Sequence, residues 1–273
     1  MSNYNLPAKP VNKTKHLKYK FGWLPDLPDA RDYVYQPPLK VGSASELPSK
    51  VDLRNICSAV QDQGSLGSCT AHALLAAFEC CKRVQGQKTK RLSRLFVYYN
   101  ERVMMNTVMS DSGAYLRDGV KSLNKQGVCF EKDWTYSKST KPGAKFTIEP
   151  PKKCYEAALD NQVLKYMSVT PNLFHLRSCL ASGFPFVFGF SVYESFMSEE
   201  VKQTGIMPMP TADEDMLGGH AVMAAGYDND TRMFLIRNSW GKKWGDNGYF
   251  WMPYDYVSKT SNCSDFWTLR LVE

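Results

Sequence analysis

The sequence predicts an α+β protein of two lobes. Three observations carry this: helical periodicities come first, strand-like apolar runs come second, and the length is ample for a large core. Segregated helices and strands give α+β layering rather than alternating α/β units. The chain has 273 residues, 43% hydrophobic and 22% charged, ordinary values for a globular protein. No apolar run approaches membrane-spanning length, so no membrane partner is expected.

Residues 1–46 differ from the rest. The run Phe21-Gly22-Trp23-Leu24-Pro25-Asp26-Leu27-Pro28-Asp29-Ala30-Arg31-Asp32-Tyr33 alternates prolines, aromatics and charges, which suits an extended arm. Trp23, Tyr33 and Tyr35 are its expected anchors. The net charge is +7, with Lys9, Lys13, Lys15, Lys18 and Lys20 crowded at the start. A solvated tail explains these lysines, and without a nucleic-acid motif no nucleic-acid partner is expected. No secretory leader pattern is seen at the N-terminus.

From Cys69 the apolar positions Ala71, Leu74, Leu75, Phe78 and Cys81 recur with a helical period. Lys82, Arg83 and Gly86 mark the end of that helix. Further helices are expected near Arg94–Met105 and Ala114–Asn124, and a short one from an Asn172 cap to Leu180. Strands are expected at Phe184–Tyr193, His220–Tyr227, Met233–Arg237, Tyr249–Met252 and Trp267–Leu271. Asp228-Asn229-Asp230 reads as the turn between two of them. Thr204–Gly219 reads as a long surface loop.

The stretch Gln63-Gly64-Ser65-Leu66-Gly67-Ser68-Cys69 sets one cysteine where a loop meets a helix. There the dipole and unpaired N–H groups favour a thiolate. Gly219-His220-Ala221-Val222 puts a histidine at the head of an apolar run. Arg237-Asn238-Ser239-Trp240-Gly241 follows another such run. A cysteine with a distant His and Asn is the arrangement expected of a cysteine-nucleophile hydrolase. The eight cysteines form no C-x-x-C pair, so no metal is expected.

These three motifs, in this order, resemble those of the papain/cathepsin family of cysteine proteases. Leu47-Pro48-Ser49-Lys50-Val51-Asp52-Leu53-Arg54 resembles the start of a mature family enzyme. The resemblance spans roughly residues 47 to 273. It implies a papain-like two-lobe fold: a helical lobe carrying Cys69, an antiparallel β-barrel-like lobe carrying His220, and a cleft between them. Residues 47–273 are then the peptidase domain, and residues 1–46 a candidate pro-segment expected to lie partly over the cleft. Cofactors are not implied, and the implied partner is a peptide or protein substrate.

The implied chemistry is amide hydrolysis, probing an internal bond of the substrate. A Cys69 thiolate, lowered from about 8.5 to about 3–4 beside the imidazolium of His220, attacks the carbonyl. Asn238 orients the ring, and Gln63 with the Cys69 backbone N–H forms the oxyanion hole. Trp240 and Trp244 correspond to residues that shield the Asn–His bond and line the leaving-group side. Gly113 corresponds to a glycine whose backbone pairs with extended substrate, and Gly219 is grouped with it. Residues near Cys263–Trp267 are expected at the discriminating pocket.

Three positions depart from the pattern: Leu66 where a disulfide cysteine is usual, Thr70 where a tryptophan follows the nucleophile, and His72 in a normally apolar place. His72 is expected to be buried and hydrogen-bonded. Without recognisable disulfide partners, the chain is expected to work reduced, in an intracellular compartment. Two other readings use the same residues: a Cys-His acyltransferase or transpeptidase, and a catalytically silent binding protein.

Overall fold

The computed structural model describes residues 19–38 and 43–273; the lysines at 9, 13, 15 and 18 lie outside them. The arm contributes β1 (Trp23–Leu24) and the domain opens with β2 (Lys50–Asp52). The helical lobe follows: α1 (Cys69–Val84), α2 (Arg94–Met104), the short β3 (Ala114–Tyr115), α3 (Leu116–Lys125) and α4 (Lys152–Ala158). Then come β4 (Val163–Ser168), α5 (Leu173–Ala181), β5 (Phe186–Tyr193), α6 (Glu199–Thr204) and β6 (Met216–Asp228). The chain finishes with β7 (Met233–Arg237), β8 (Tyr249–Pro253), α7 (Tyr254–Val257) and β9 (Cys263–Val272).

The large sheet has the order β4-β9-β5-β6-β7-β8, with β2 added on β6, and every pairing is antiparallel. Its terminal strands β4 and β8 are not paired with each other among the described residues, so the expected antiparallel β-rich lobe is an open sheet. The alternation along β5 shows how it divides the interior. Phe186, Phe188, Phe190 and Val192 pack with Phe234, Phe250 and α5 on one face. Val187 and, on β6, Ala221, Met223 and Ala225 pack with α1 on the other. A strand covered on both faces reads as a continuous apolar run, as β5 does.

Helix α1 was expected to be amphipathic, yet every residue from Cys69 to Cys81 is buried. It runs between the sheet and helices α2 and α3, so it has no solvent face to leave polar. Glu79 is therefore paired inside: Arg94 donates to it at 2.6 and 2.9 Å, and Ser58 also donates. Burial would push this carboxyl up, but Arg94 and Ser58 hold it below its ordinary range. Both members of the pair are 2% exposed. Glu79→Gln leaves a buried guanidinium without its counter-charge and is expected to cost about 3 kcal/mol of unfolding free energy. Urea denaturation at neutral pH measures it; an unchanged midpoint would count against a charged pair.

Caps close the predicted helices where the sequence supplies them. Ser93 accepts from Phe96 N at the start of α2, and Asn172 accepts from His175 N at α5. Asp228 Oδ1 accepts from Asp230 N in the β6–β7 turn. Residues beyond Thr204 do form a loop, but β6 begins at Met216, inside the expected loop. No described helix is long and apolar enough to cross a membrane.

Candidate active site

Cys69 is the first residue of α1, and its sulfur is faced by three backbone amides: those of Ala221, Gly22 and Thr70. Ala221 follows His220 on β6, so strand and helix start meet at the cysteine. The His220 ring sits on β6 opposite Phe190 and holds Asn238, just past β7, at 2.9 Å from its Nε2. Asn238 Oδ1 also accepts from Ser239 N at 2.8 Å, so it is an acceptor and Nε2 carries the proton. His220 Nδ1 is buried and has no hydrogen-bond partner among the described residues. That leaves its lone pair available for a thiol proton.

Gln63 is fully buried, and its amide is oriented by Ser239, whose hydroxyl donates to Oε1 at 2.6 Å. Nε2 then donates to Leu66 O at 2.9 Å and to the carbonyl of Lys20 at 3.0 Å. Ser239 and Tyr136, whose hydroxyl donates to Gln63 O at 3.0 Å, were not identified from sequence. Ser239 adjoins Asn238, which was its one available signal. Tyr136 sits in an irregular stretch far from any motif.

Residues 47–265 match the family pattern described as papain family cysteine protease. The chain belongs to the papain family of cysteine proteases. It is 40% identical over 282 residues to an uncharacterized peptidase C1-like protein, L477, of Acanthamoeba polyphaga mimivirus, across 95% of this chain and 89% of that one. Cathepsin B-like CP3 of Giardia intestinalis is 28% identical over 224 residues, 76% of this chain and 70% of that protein. The fold superposes on xylellain, a cysteine protease from Xylella fastidiosa, with TM-score 0.88 and 44% identity, covering 94% of this chain and 97% of the other. The chain is thus a papain-like cysteine peptidase with the family's two-lobe fold.

The arm lies across these residues. Tyr19 stacks on Trp240 at 4.5 Å and 4°, and Phe21 stands edge-on to His220 at 6.3 Å. Trp240 also stacks on His220 at 4.9 Å, and Trp244 meets Trp240 edge-on at 5.1 Å, both tryptophans buried. Trp23–Leu24 pair in parallel with Ala114–Tyr115, where Ala114 N donates to Gly22 O at 2.7 Å. Gly113 itself gives its N–H to Tyr98, so the arm takes the amide one residue beyond the expected one. The Trp23 ring fills the space above Gly189, where an added Cβ would lie 1.8 Å from the indole. A Cβ on Gly219 would lie 2.5 Å from Trp23 O. Trp23 Nε1 donates to Asp265, within the Cys263–Trp267 strip, at 2.9 Å. Tyr35 and Trp23 anchor the arm, but Tyr33 is 79% exposed; Tyr19 is the further buried aromatic.

Burial beneath this arm sets the charge state. The Cys69 thiol is pushed up to about 12 by loss of solvent, against the pull of the three amides. His220 is pushed down to about 4, also by burial, with Asn238 opposing. Burial thus favours the neutral thiol and imidazole over the thiolate–imidazolium pair while the arm lies across them. His72 is buried as expected: Nδ1 donates to Ser68 O at 2.9 Å, Tyr136 meets its ring edge-on at 5.0 Å, and burial pushes it down to about 3. Thr70 donates to the buried Glu101 at 2.8 Å in place of tryptophan packing. All eight cysteines are free thiols.

Proposed function

We propose that the chain is an endopeptidase acting through Cys69, His220, Asn238 and Gln63, and that its arm holds it latent. The observation that carries this reading is the Lys20 carbonyl on Gln63 Nε2. A peptide carbonyl already sits on the donor assigned to the oxyanion. In the open enzyme Cys69 gives its proton to His220 Nδ1 and attacks the substrate carbonyl. Gln63 Nε2 and the Cys69 N–H take the developing negative charge. His220 protonates the departing amine, and a water then cleaves the acyl-enzyme with His220 as base. Asn238 keeps the ring's Nε2–H occupied throughout.

The arm occupies the groove on both sides of the cysteine, at Trp240 and at Ala114, which favours binding along an internal stretch of chain over one end. Its direction explains why it survives. A substrate whose leaving amine departs toward Trp240 runs from Gly113 to Trp240. The arm runs from Tyr19 at Trp240 to Trp23 at Ala114, in parallel with β3. Each arm peptide bond thus offers its nitrogen on the side away from Trp240.

An epoxysuccinyl thiol-protease inhibitor tests the reading by intact mass. We expect one label on Cys69 in a chain beginning at Leu47, slow labelling of the full chain, and none in Cys69→Ser. Folded protein that never labels would move the catalytically silent reading forward. Transfer of a substrate acyl group to added amines in preference to water would favour the transferase.

A further inference from the structure

Cys57 precedes the nucleophile loop, and Cys80 lies on α1 three turns beyond Cys69, roughly 16 Å along the helix. Their sulfurs are 3.5 Å apart, with Cys80 donating to Cys57. Cys57 is the one cysteine of the eight that is not buried. Around it stand the Leu53 carbonyl, which its thiol reaches at 3.3 Å, and the buried guanidinium of Arg237. Arg237 donates to the Ser58 and Ala59 carbonyls and to the Tyr249 hydroxyl, and its charge is felt by Cys57, Cys80 and the carboxylate of Glu79.

We propose that Cys57 and Cys80 are a redox-modification site, a thiol pair that hydrogen peroxide closes to a disulfide while Cys69 stays shielded under the arm. The geometry supplies each requirement: a partly exposed cysteine, a second sulfur 3.5 Å from its own, and a nearby guanidinium. Cys80's S–H, with Arg237 and Tyr249, outweighs burial and lowers the Cys57 thiol below its ordinary range, which favours its thiolate. The thiolate attacks one peroxide oxygen, the O–O bond breaks, and hydroxide leaves, giving a sulfenic acid on Cys57. The Cys80 sulfur, giving up its proton, attacks Cys57, the S–O bond breaks, and water leaves. Two thiols lose two electrons and one peroxide becomes two waters. The new bond ties the segment that holds Arg237, next in chain to Asn238, onto the nucleophile helix.

Cys129 and Cys154 also interact, but both are fully buried and burial pushes Cys129 up, so this pair reacts later. The test treats the reduced full chain with one equivalent of hydrogen peroxide and measures intact mass, then maps peptides without reduction. A loss of about 2 Da, reversed by dithiothreitol, with Cys57 and Cys80 peptides joined, is the expected result. In Cys80→Ala the loss should vanish, and dimedone should trap a sulfenic acid on Cys57. A loss that maps to Cys129 and Cys154, or oxidation first at Cys69, overturns the proposal. So does a chain that keeps all eight thiols.

Discussion

A chain carrying Gly22→Ala should label with the epoxysuccinyl inhibitor roughly 10³-fold faster than the unaltered chain at about pH 5, since a closed enzyme reacts only in its open fraction. The reason is a backbone-to-backbone approach. A Cβ on Gly22 would stand 1.9 Å from the carbonyl oxygen of Gly67 and 2.4 Å from its carbon, with no flexible side chain to yield. Gly67 belongs to the nucleophile loop and is itself pinned, its N–H donating to Asp111 at 3.0 Å. The arm must lift, and with it go the Gly22 amide on the Cys69 sulfur and the Lys20 carbonyl on Gln63. Water then reaches the thiol and imidazole, and the ion pair replaces the neutral pair. The substitution leaves residues 47–273 untouched, so folding of the domain is not at stake. Trp23→Ala should give a smaller gain, because it empties a pocket without creating a clash. Equal labelling rates for Gly22→Ala and the unaltered chain would remove the arm from any inhibitory role.

The candidate catalytic residues were legible because the motifs that name them are local. Gln63, Cys69, His220 and Asn238 each sit inside a short run whose turn, helix start or strand can be recognised in isolation. What was missed depends on contacts between distant segments. Tyr19 is an ordinary basic-arm residue until Trp240 lies beneath it. β1 and β3 are two residues each and exist only because the arm crosses Ala114. β4, with Val163 its one buried side chain, offers almost no alternation to read. The full burial of α1 is not readable from its apolar period, because alanines mark burial weakly and the partner of Glu79, Arg94, lies on another helix. The openness of the sheet likewise rests on which strands fail to pair, a property that periodicity does not carry.

Above neutral pH the latch itself should weaken. Asp26 on the arm and Asp265 on β9 meet beside Trp23, and both are half-buried. Asp265 accepts from Trp23 Nε1 and from Asp26 N, at 2.9 and 2.8 Å. Asp26 accepts from Trp267 Nε1 at 3.4 Å and from Arg117 N at 3.2 Å. The facing charge is the Arg117 guanidinium, which already holds Asp32 at 2.6 Å. Burial first, and then Asp265, raises Asp26 from 3.8 to about 7; burial raises Asp265 to about 6. A carboxyl raised in the docked form means that docking takes up protons. Docking is therefore strongest below the released value near 3.8, declines as pH climbs, and has lost this contribution above about 7. The Cys69–His220 pair does not mask the trend, because thiol with imidazole and thiolate with imidazolium hold the same number of protons. Three units on Asp26 correspond to a docking constant lower by up to roughly 10³-fold at the alkaline end. The ratio of labelling rates, Gly22→Ala over unaltered chain, should thus fall steadily between about pH 4.5 and 8, as the unaltered arm lets go. Asp26→Asn keeps an oxygen for Trp267 and Arg117 but cannot ionise, so its ratio should fall less steeply, with only the Asp265 contribution left. A flat ratio in the unaltered chain, or an Asp26→Asn chain that follows the full decline, would place the pH response elsewhere than in Asp26.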